Sequence, residues 1–158
     1  MLCVTESVAQ LVPNLGGQRA GISAFQFLKI GVGARGVAMG ESFVAVANDA
    51  SALFWNPAGL VQFNQNEIIA AHTDYVVDIS HEYFGLVYHL GESEALGASF
   101  SSLHMKDMQI TTVTQPLGTG SYFSFGDIAI GITYANKMTE QFSFGATVRY
   151  AEETLDIL

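Results

Sequence analysis

Charged side chains are scarce in this sequence, and so are long apolar runs. Only 13% of the 158 residues are charged, whereas 49% are hydrophobic and the mean hydropathy is +0.31. Soluble domains carry about 25% charged residues, so much of this surface is not expected to face water. A membrane-spanning helix is excluded, because it needs roughly 18 or more consecutive apolar residues and stretches such as Phe84–Tyr88 and Ile128–Ala135 are short. High hydropathy without a long apolar run is typical of membrane-spanning strands.

Basic residues and cysteine are also few. Six Lys and Arg residues stand against fifteen Asp and Glu residues, which gives a net charge of −9. Since no basic patch is available to displace counterions from a phosphate backbone, nucleic acid is not an expected partner. The single cysteine, Cys3, cannot form an internal disulfide bond. A lipid anchor at Cys3 is disfavoured, because only two residues precede it.

Residues 1–10 allow two interpretations that the sequence leaves open. Ser7-Val8-Ala9 before Gln10 has the small-x-small form of a signal-peptidase site, so the stretch is the remnant of a signal peptide in one interpretation. In the other it is an ordinary frayed terminus.

Two regions with different patterns follow. Residues 11–64 are rich in Gly, Ala and Asn without steady periodicity, and we expect a compact plug there. Residues 65–158 contain segments of about ten residues separated by turn signals, which is the length of a tilted membrane-spanning strand. We predict five strands: Asn66–Tyr75, His81–Leu90, Ala95–Met105, Tyr122–Ala135 and Gln141–Ala151.

The last two predicted strands alternate most clearly. One face is bulky and apolar, and the other is small or polar and includes Arg149. A soluble sandwich would show a similar alternation, but the low total charge favours a barrel with a polar lumen. The predicted fold class is therefore all-β, an antiparallel transmembrane β-barrel. We expect lipid contact for Ile128, Ile130, Ile132, Phe142, Phe144 and Val148.

No catalytic constellation is recognisable. Gly31–Gly36 fits the pattern G-x-G-x-x-G, but the antiparallel strands that follow are not the βαβ units of a dinucleotide fold. Glycines that thread a narrow lumen explain the motif better. The four histidines lack metal-ligand spacing, although His72 and Asp74 share a face that would suit a weak cation contact. We therefore expect no enzyme activity, no cofactor and no metal.

Residues Gly40–Leu60 predict a break in the chain. Asp49 or Ser51 is placed to cap a short helical turn through Trp55. Pro57 forces Asn56 out of the helical region, and Gly59 permits the next reversal. We expect the candidate hatch motif Asn56, Pro57, Ala58 and Gly59 to lie against the lumen side of the strands, with Asn56 satisfying backbone groups freed by the break.

The longest predicted connection, Lys106–Ser121, is the candidate partner loop. It is unusually apolar for a loop in water, because it contains Met108, Ile110, Val113 and Leu117. Either it folds over the barrel mouth and buries these side chains, or it offers them to a partner. A simple hairpin that extends beyond the membrane is compatible with both. We expect this segment to be extracellular.

Three stretches carry a family resemblance. Asn48–Leu60 resembles the N-terminal signature of FadL-like outer-membrane proteins, whose Asn-Pro-Ala triplet lies in a lumen-plugging hatch. Phe27–Gly40 and Asp107–Gly120 resemble more specifically the PorV/PorQ branch. The resemblance covers roughly Ala20–Tyr150. The family fold is a closed barrel with many more strands than five, and five strands cannot close without leaving unpaired edges in lipid. The resemblance therefore implies that this chain is the N-terminal part of a barrel in the bacterial outer membrane.

The resemblance leaves several functions open. PorV-like members receive the C-terminal signal domains of type IX secretion cargo at the cell surface, which would make cargo domains, other envelope secretion subunits and outer-membrane lipid the partners. FadL-like members move hydrophobic small molecules across the outer membrane. A structural barrel subunit of an envelope complex is a third alternative. The PorV branch is favoured because it resembles this sequence most.

Overall fold

The computed structural model describes residues 24–157, and for Ile157 the backbone alone. Short helices come first: a 3₁₀ helix at Gln26–Lys29, α1 at Ala34–Ala38, α2 at Ala52–Trp55 and a second 3₁₀ helix at Pro57–Gln62. Six strands follow, at Glu67–Asp74 (β1), Ile79–His89 (β2), Glu94–Met105 (β3), Met108–Gln109 (β4), Tyr122–Lys137 (β5) and Ser143–Ile157 (β6). The two interpretations of residues 1–10 concern a stretch outside the described residues.

The strands form one antiparallel sheet. The order is β1-β2-β3-β5, with β6 paired to the other side of β5 and the short β4 paired to the start of β5. The all-β class is confirmed. Within residues 24–157 the sheet is open, with β1 and β6 at its edges. No helix in this part of the chain is long and apolar enough to cross a membrane.

All five predicted strands are present, with two differences. The last one continues to Ile157 instead of stopping at Ala151, because Glu152–Asp156 keep their pairing with β5 after the apolar alternation has ended. The second difference is β4, which was not predicted. Its two residues pair with Tyr122 and Phe123 and start a hairpin within the long connection.

The two faces of the sheet differ in what covers them. One face, which we call the packed face, is covered by the N-terminal segment, residues 24–62. Its buried members include Tyr83, Val87, Ala95, Leu103, Ala129, Thr133 and Ala135. The opposite, open face carries exposed apolar side chains at the alternate positions. The alternation predicted for residues 128–135 is confirmed, since Ala129, Gly131, Thr133 and Ala135 are buried while the isoleucines between them are exposed.

The N-terminal segment packs on the sheet in two clusters. The larger joins Phe43, Leu53 and Leu60 to Val87 and Ala135, near the end of the sheet with the turns at residues 90–93 and 138–142. The smaller joins Phe27 to Leu103 and Ala129, near the opposite end, which bears the long hairpin. We call these the turn end and the loop end. The division of the chain at residues 64 and 65 stays a prediction.

Candidate functional site

The chain breaks at Asn56, after α2. The backbone of Asn56 is extended, with φ −157° and ψ 96°, because the proline ring that follows disfavours the helical region. The Nδ2 group of Asn56 donates to the carbonyl oxygen of Val44 at 2.9 Å, and its Oδ1 accepts from the amide of Ala58 at 3.2 Å. Asn56 therefore satisfies backbone groups on both sides of the break, whereas its membership of a functional hatch stays a prediction.

Capping of α2 differs from the expectation in part. The hydroxyl of Ser51 makes no capping bond to the helix. Instead, Oδ1 of Asp49 accepts hydrogen bonds from the amide and the hydroxyl of Ser51. Asp49 thus organises the turn before the helix, as short acidic side chains commonly do.

Small residues let the N-terminal segment approach the sheet closely. Leu53 is fully buried and points at Gly85 and Gly97. A Cβ atom at Gly85 would lie 2.8 Å from Leu53 Cδ1, and one at Gly97 would lie closer still. Across the sheet, a Cβ atom at Gly145 would meet the backbone of Pro57 and Ala58. The Asn-Pro-Ala triplet therefore lies directly on the small-residue face of β6.

The glycines of the Gly31–Gly36 motif have a more specific role than the expected threading of a lumen. A Cβ atom at Gly36 would lie 2.7 Å from the indole of Trp55, and Gly31 faces the same ring. The indole Nε1 of Trp55 donates to the carbonyl oxygen of Val32 at 2.9 Å. Residues Ala34–Ala38 form a helical turn that the sequence did not predict. The motif thus makes room for an aromatic side chain.

Arg35 connects α1 to the segment before α2. Its Nη1 lies 3.1 Å from Asn48 Oδ1 and 3.1 Å from Asp49 Oδ2. Its guanidinium carbon lies 4.9 Å from the ring centre of Phe43, within cation–π range. Arg35 therefore joins α1 to Phe43 and to the turn before α2.

Two further bonds tie the N-terminal segment to the sheet. Oε2 of Glu67, at the start of β1, accepts from the amide of Ala50 at 2.8 Å. Nε2 of His89, at the end of β2, lies 2.9 Å from the carbonyl oxygen of Leu60. Between this segment and β1 lies a cavity of about 740 Å³, lined by Gly31, by residues 33–37 and 49–51, and by residues 67–73 of β1.

Five of the six residues predicted to contact lipid lie on the strands of the open face, and the sixth, Phe142, lies in the turn before β6. The exposed fractions are 37% for Ile128, 50% for Ile130, 67% for Ile132, 58% for Phe142, 51% for Phe144 and 79% for Val148. Strand pairing aligns apolar groups in rows across the sheet. One row contains Phe84, Phe100, Ile130 and Tyr150, and the next contains Leu86, Ala98, Ile132 and Val148.

A polar row borders this apolar band at the loop end. It contains His72, Glu82, Ser102 and Glu152, and Ile128, the last apolar member of the band on β5, lies between Ser102 and Glu152. The imidazole of His72 lies 2.6 Å from Glu82 Oε1 and 3.1 Å from Asp74 Oδ1. His72 and Asp74 thus share a face, as expected, and contact each other directly. Among residues 24–157, no three His, Cys, Asp or Glu side chains are grouped so as to hold a metal ion.

The long connection is an extended hairpin. The amide of Ile110 donates to Ser121 at 2.8 Å, the amide of Thr119 donates to Ile110 at 2.8 Å, and Thr112 bridges to Gln115 near the tip. Met108 and Ile110 are half-buried, whereas Val113 is 101% exposed and Leu117 is 93% exposed. Of the two alternatives for this loop, burial does not hold for Val113 and Leu117, because the hydrogen-bonded hairpin extends away from the sheet.

A comparison with protein families identifies the family of this chain. The family model described as "Type IX secretion system protein PorV" matches residues 15–158. No match to a curated protein or to a solved structure accompanies it. The match includes the whole N-terminal segment, all six strands and the hairpin. The chain therefore belongs to the PorV family of type IX secretion system proteins.

Proposed function

We propose that this chain contributes consecutive strands to an outer-membrane β-barrel, which is plugged by its N-terminal segment and handles secreted cargo at its loop end. The open face would contact lipid and the packed face would line the lumen. Family membership supports the link to type IX secretion. The membrane placement, the plug and the cargo contact are proposals that rest on the geometry.

The main support for the membrane placement is the apolar band on the open face. Large apolar side chains occupy matching rows on neighbouring strands, and they remain exposed in a protein with few charges. Monomeric soluble proteins rarely expose contiguous apolar surface on this scale. From Ile128 to Tyr134 the band spans about 20 Å of strand at roughly 3.3 Å per residue, close to the apolar height of about 25 Å of outer-membrane barrels.

The covering of the packed face supports the plug. In a barrel wall the face opposite lipid points into the lumen, and here that face is occupied by α2 and the second 3₁₀ helix. Asn56, Pro57, Ala58 and Gly59 would then form the hatch motif inside the barrel. Glycines at the contact points keep the plug close to the wall, so no channel would remain between Leu53 and the strands beneath it.

Lipid contact can be tested with fluorophores attached to single cysteines. In a Cys3→Ser background, Ile132→Cys and Val113→Cys would each be labelled with an environment-sensitive dye before insertion into phosphocholine vesicles. We expect blue-shifted emission that lipid-borne nitroxides quench at position 132, and water-like emission at position 113. Water-like emission at both positions in the inserted protein would overturn the membrane placement.

The secretion role can be tested in the native host. After deletion of the gene, proteins with type IX C-terminal signal domains should accumulate inside the cell. Re-expression of the wild-type protein should restore their export to the surface. A deletion strain that displays and releases its cargo normally would contradict the proposed role in cargo handling.

The cavity beside β1 favours one other candidate, uptake of hydrophobic small molecules. The cavity is large enough for a small ligand, since such pockets measure about 300–1,000 Å³, and Ile69 and Ala71 of β1 are among its lining residues. Ala71→Phe would fill it. If uptake is the function, this variant should lose binding of an apolar fluorescent dye, and unchanged dye binding would count against uptake through this cavity.

A further inference from the structure

Two connections at the loop end expose apolar side chains to water. The hairpin at residues 106–121 presents Val113 and Leu117, and the turn at residues 75–78 presents Val76, which is 81% exposed. The turn lies beside the base of the hairpin, since Lys106 Nζ is 3.9 Å from Asp78 Oδ1. We call the exposed side chains of these two connections the loop-end surface.

The hairpin lacks the features that normally protect an exposed strand. Proteins keep such edges from pairing with other molecules by means of charged side chains, especially lysine. The fourteen residues from Met108 to Ser121 contain no charged residue. Turn tips are ordinarily polar, yet Val113 is fully exposed here. An uncharged hairpin with apolar groups at its tip is the expected form of a docking element.

Lipid is an unsuitable occupant for this surface. The apolar band on β5 ends at Ile128, and Ser121 lies seven residues further along the strand, a distance of about 23 Å at roughly 3.3 Å per residue. The hairpin tip lies beyond that. On the other strands of this row His72, Glu82 and Glu152 stand beside Ile128, so the band gives way to polar side chains at this level. The loop-end surface therefore lies on the water side of the membrane proposed above.

The charge around this surface indicates the kind of partner. Beyond the polar row, the ends of the strands and their connections carry the exposed Asp74, Asp78, Asp107 and Asp156, and among these described segments Lys106 is the one lysine or arginine. Asp74 and Asp78 are each 73% exposed at the side chain. Complementary potentials guide a partner to its site and determine which partners bind. A neutral apolar hairpin rising from a negative rim thus fits a partner with an apolar recess and basic groups around it.

We propose that the loop-end surface docks a protein domain through a positively charged, apolar-centred surface of that domain. Val113 and Leu117 enter the apolar recess, and the carboxylates of the rim face lysine or arginine side chains at its border. Such an arrangement, with an apolar centre and a polar border, is common in protein interfaces. The proposal deepens the cargo-handling function and rests on it, because it assigns that cargo a basic docking face.

A defined peptide probe tests the charge and the apolar contact together. The probe is a fluorescent peptide of alternating lysine and valine, with a glutamate–valine peptide of equal length as its control, and the protein is held in zwitterionic micelles. We expect the protein to bind the lysine–valine peptide and not the glutamate–valine peptide. Binding should weaken strongly with salt, because the screening length falls from about 30 Å to about 3 Å between 0.01 M and 1 M.

Matched double variants locate the site. Asp78→Asn with Asp107→Asn should raise the Kd of the lysine peptide about fivefold, since exposed ion pairs contribute up to about 1 kcal/mol each. Val113→Ser with Leu117→Ser should raise it comparably. Glu92→Gln with Glu140→Gln removes the same charge at the turn end and should have no effect. If the turn-end variant weakened peptide binding as much as the loop-end variant, net charge alone would explain the binding and the proposal would be overturned. Equal binding of the two peptides would also overturn it.

Two further outcomes separate this inference from the proposed function. If the lysine peptide does not bind, yet loss of the hairpin still abolishes cargo capture in cells, the cargo role stands and the basic docking face is wrong. If the wild-type protein in phosphocholine vesicles attracts added anionic lipid at the loop end more strongly than it binds the lysine peptide, the occupant is a lipid surface and the proposal also fails.

Discussion

At the scale of single residues, glycines determine how closely the N-terminal segment approaches the sheet. Gly85 and Gly97 lie under Leu53, Gly145 lies under the Pro57–Ala58 peptide, and Gly36 lies against Trp55. These positions differ in what a methyl group would meet. At Gly97 it would meet a side chain, whereas at Gly145 it would meet backbone atoms. Gly145 is therefore the least tolerant of the three sheet positions, because backbone moves only with the whole segment.

Gly145→Ala should destabilise the protein by about 1–3 kcal/mol, the usual cost of overpacking a close contact. The matched control is Gly126→Ala on β5, where a Cβ atom would meet nothing within 4 Å. The free energy of unfolding in detergent, measured by denaturant titration, compares the two variants. If both lose the same stability, the close contact between β6 and the Pro57–Ala58 backbone is not what the glycine permits.

At the scale of elements, the break after α2 depends on one side chain. Asn56 donates to Val44 and accepts from Ala58, so its amide group joins two backbone stretches that the proline separates from regular structure. Asn56→Ala removes both bonds and should cost about 1–3 kcal/mol, because each hydrogen bond contributes about 0.5–1.5 kcal/mol. Asn64→Ala, at an exposed position just after the second 3₁₀ helix, is the control. Faster proteolysis between residues 44 and 62 in Asn56→Ala alone would report the loosened break.

The elements also show how far the sequence could predict the structure. Five strands were predictable because apolar alternation and polar turns coincide, and the break at Asn56 was predictable because proline restricts its predecessor. The end of β6 was not predictable, because Glu152–Asp156 show no apolar alternation. Backbone hydrogen bonds to β5 hold these residues in the sheet. The contacts of Leu53 with Gly85 and Gly97 could not be predicted either. They depend on strand register and on where α2 lies, and neither leaves a local sequence signal.

The same limit applies to the candidate site. The Asn-Pro-Ala triplet and the apolar hairpin were visible as local patterns, whereas Arg35 and Glu67 were not. Arg35 pairs with Asp49, fourteen residues later, and Glu67 with the amide of Ala50, seventeen residues earlier. Charged residues at such separations are ordinarily solvated. Only the folded path of the N-terminal segment brings them to their partners.

At the scale of the whole molecule, the cost of a charge on the open face should depend on its position along the strands. Ile130→Arg places a charge in the middle of the apolar band and should cost about 2–4 kcal/mol if that band lies at the membrane midplane. Thr154→Arg lies on the same face beyond the band, where the cost near an interface should be about 0–1 kcal/mol. Unfolding in phospholipid vesicles measures both. Equal costs would argue that the open face does not contact lipid.

The hairpin at the loop end forms a unit of its own. The hairpin is closed by its own hydrogen bonds, between Ile110 and Ser121 and between Thr112 and Gln115. It pairs with the rest of the sheet through β4 and the start of β5 alone. Deleting Asp107–Gly120 should therefore leave the pairing of β3 with β5 intact, since that ladder runs from Glu94 to His104.

Because the sheet would survive, the deletion isolates the contribution of the hairpin to function. The variant should reach the outer membrane at wild-type levels and retain its resistance to heat denaturation, but capture less secreted cargo at the cell surface. Lengthening the turn between β5 and β6 with glycine and serine changes the opposite end and should leave capture unchanged. Normal cargo release by the deletion strain, with the protein present at wild-type abundance, would show that the exposed apolar tip serves some contact other than cargo capture.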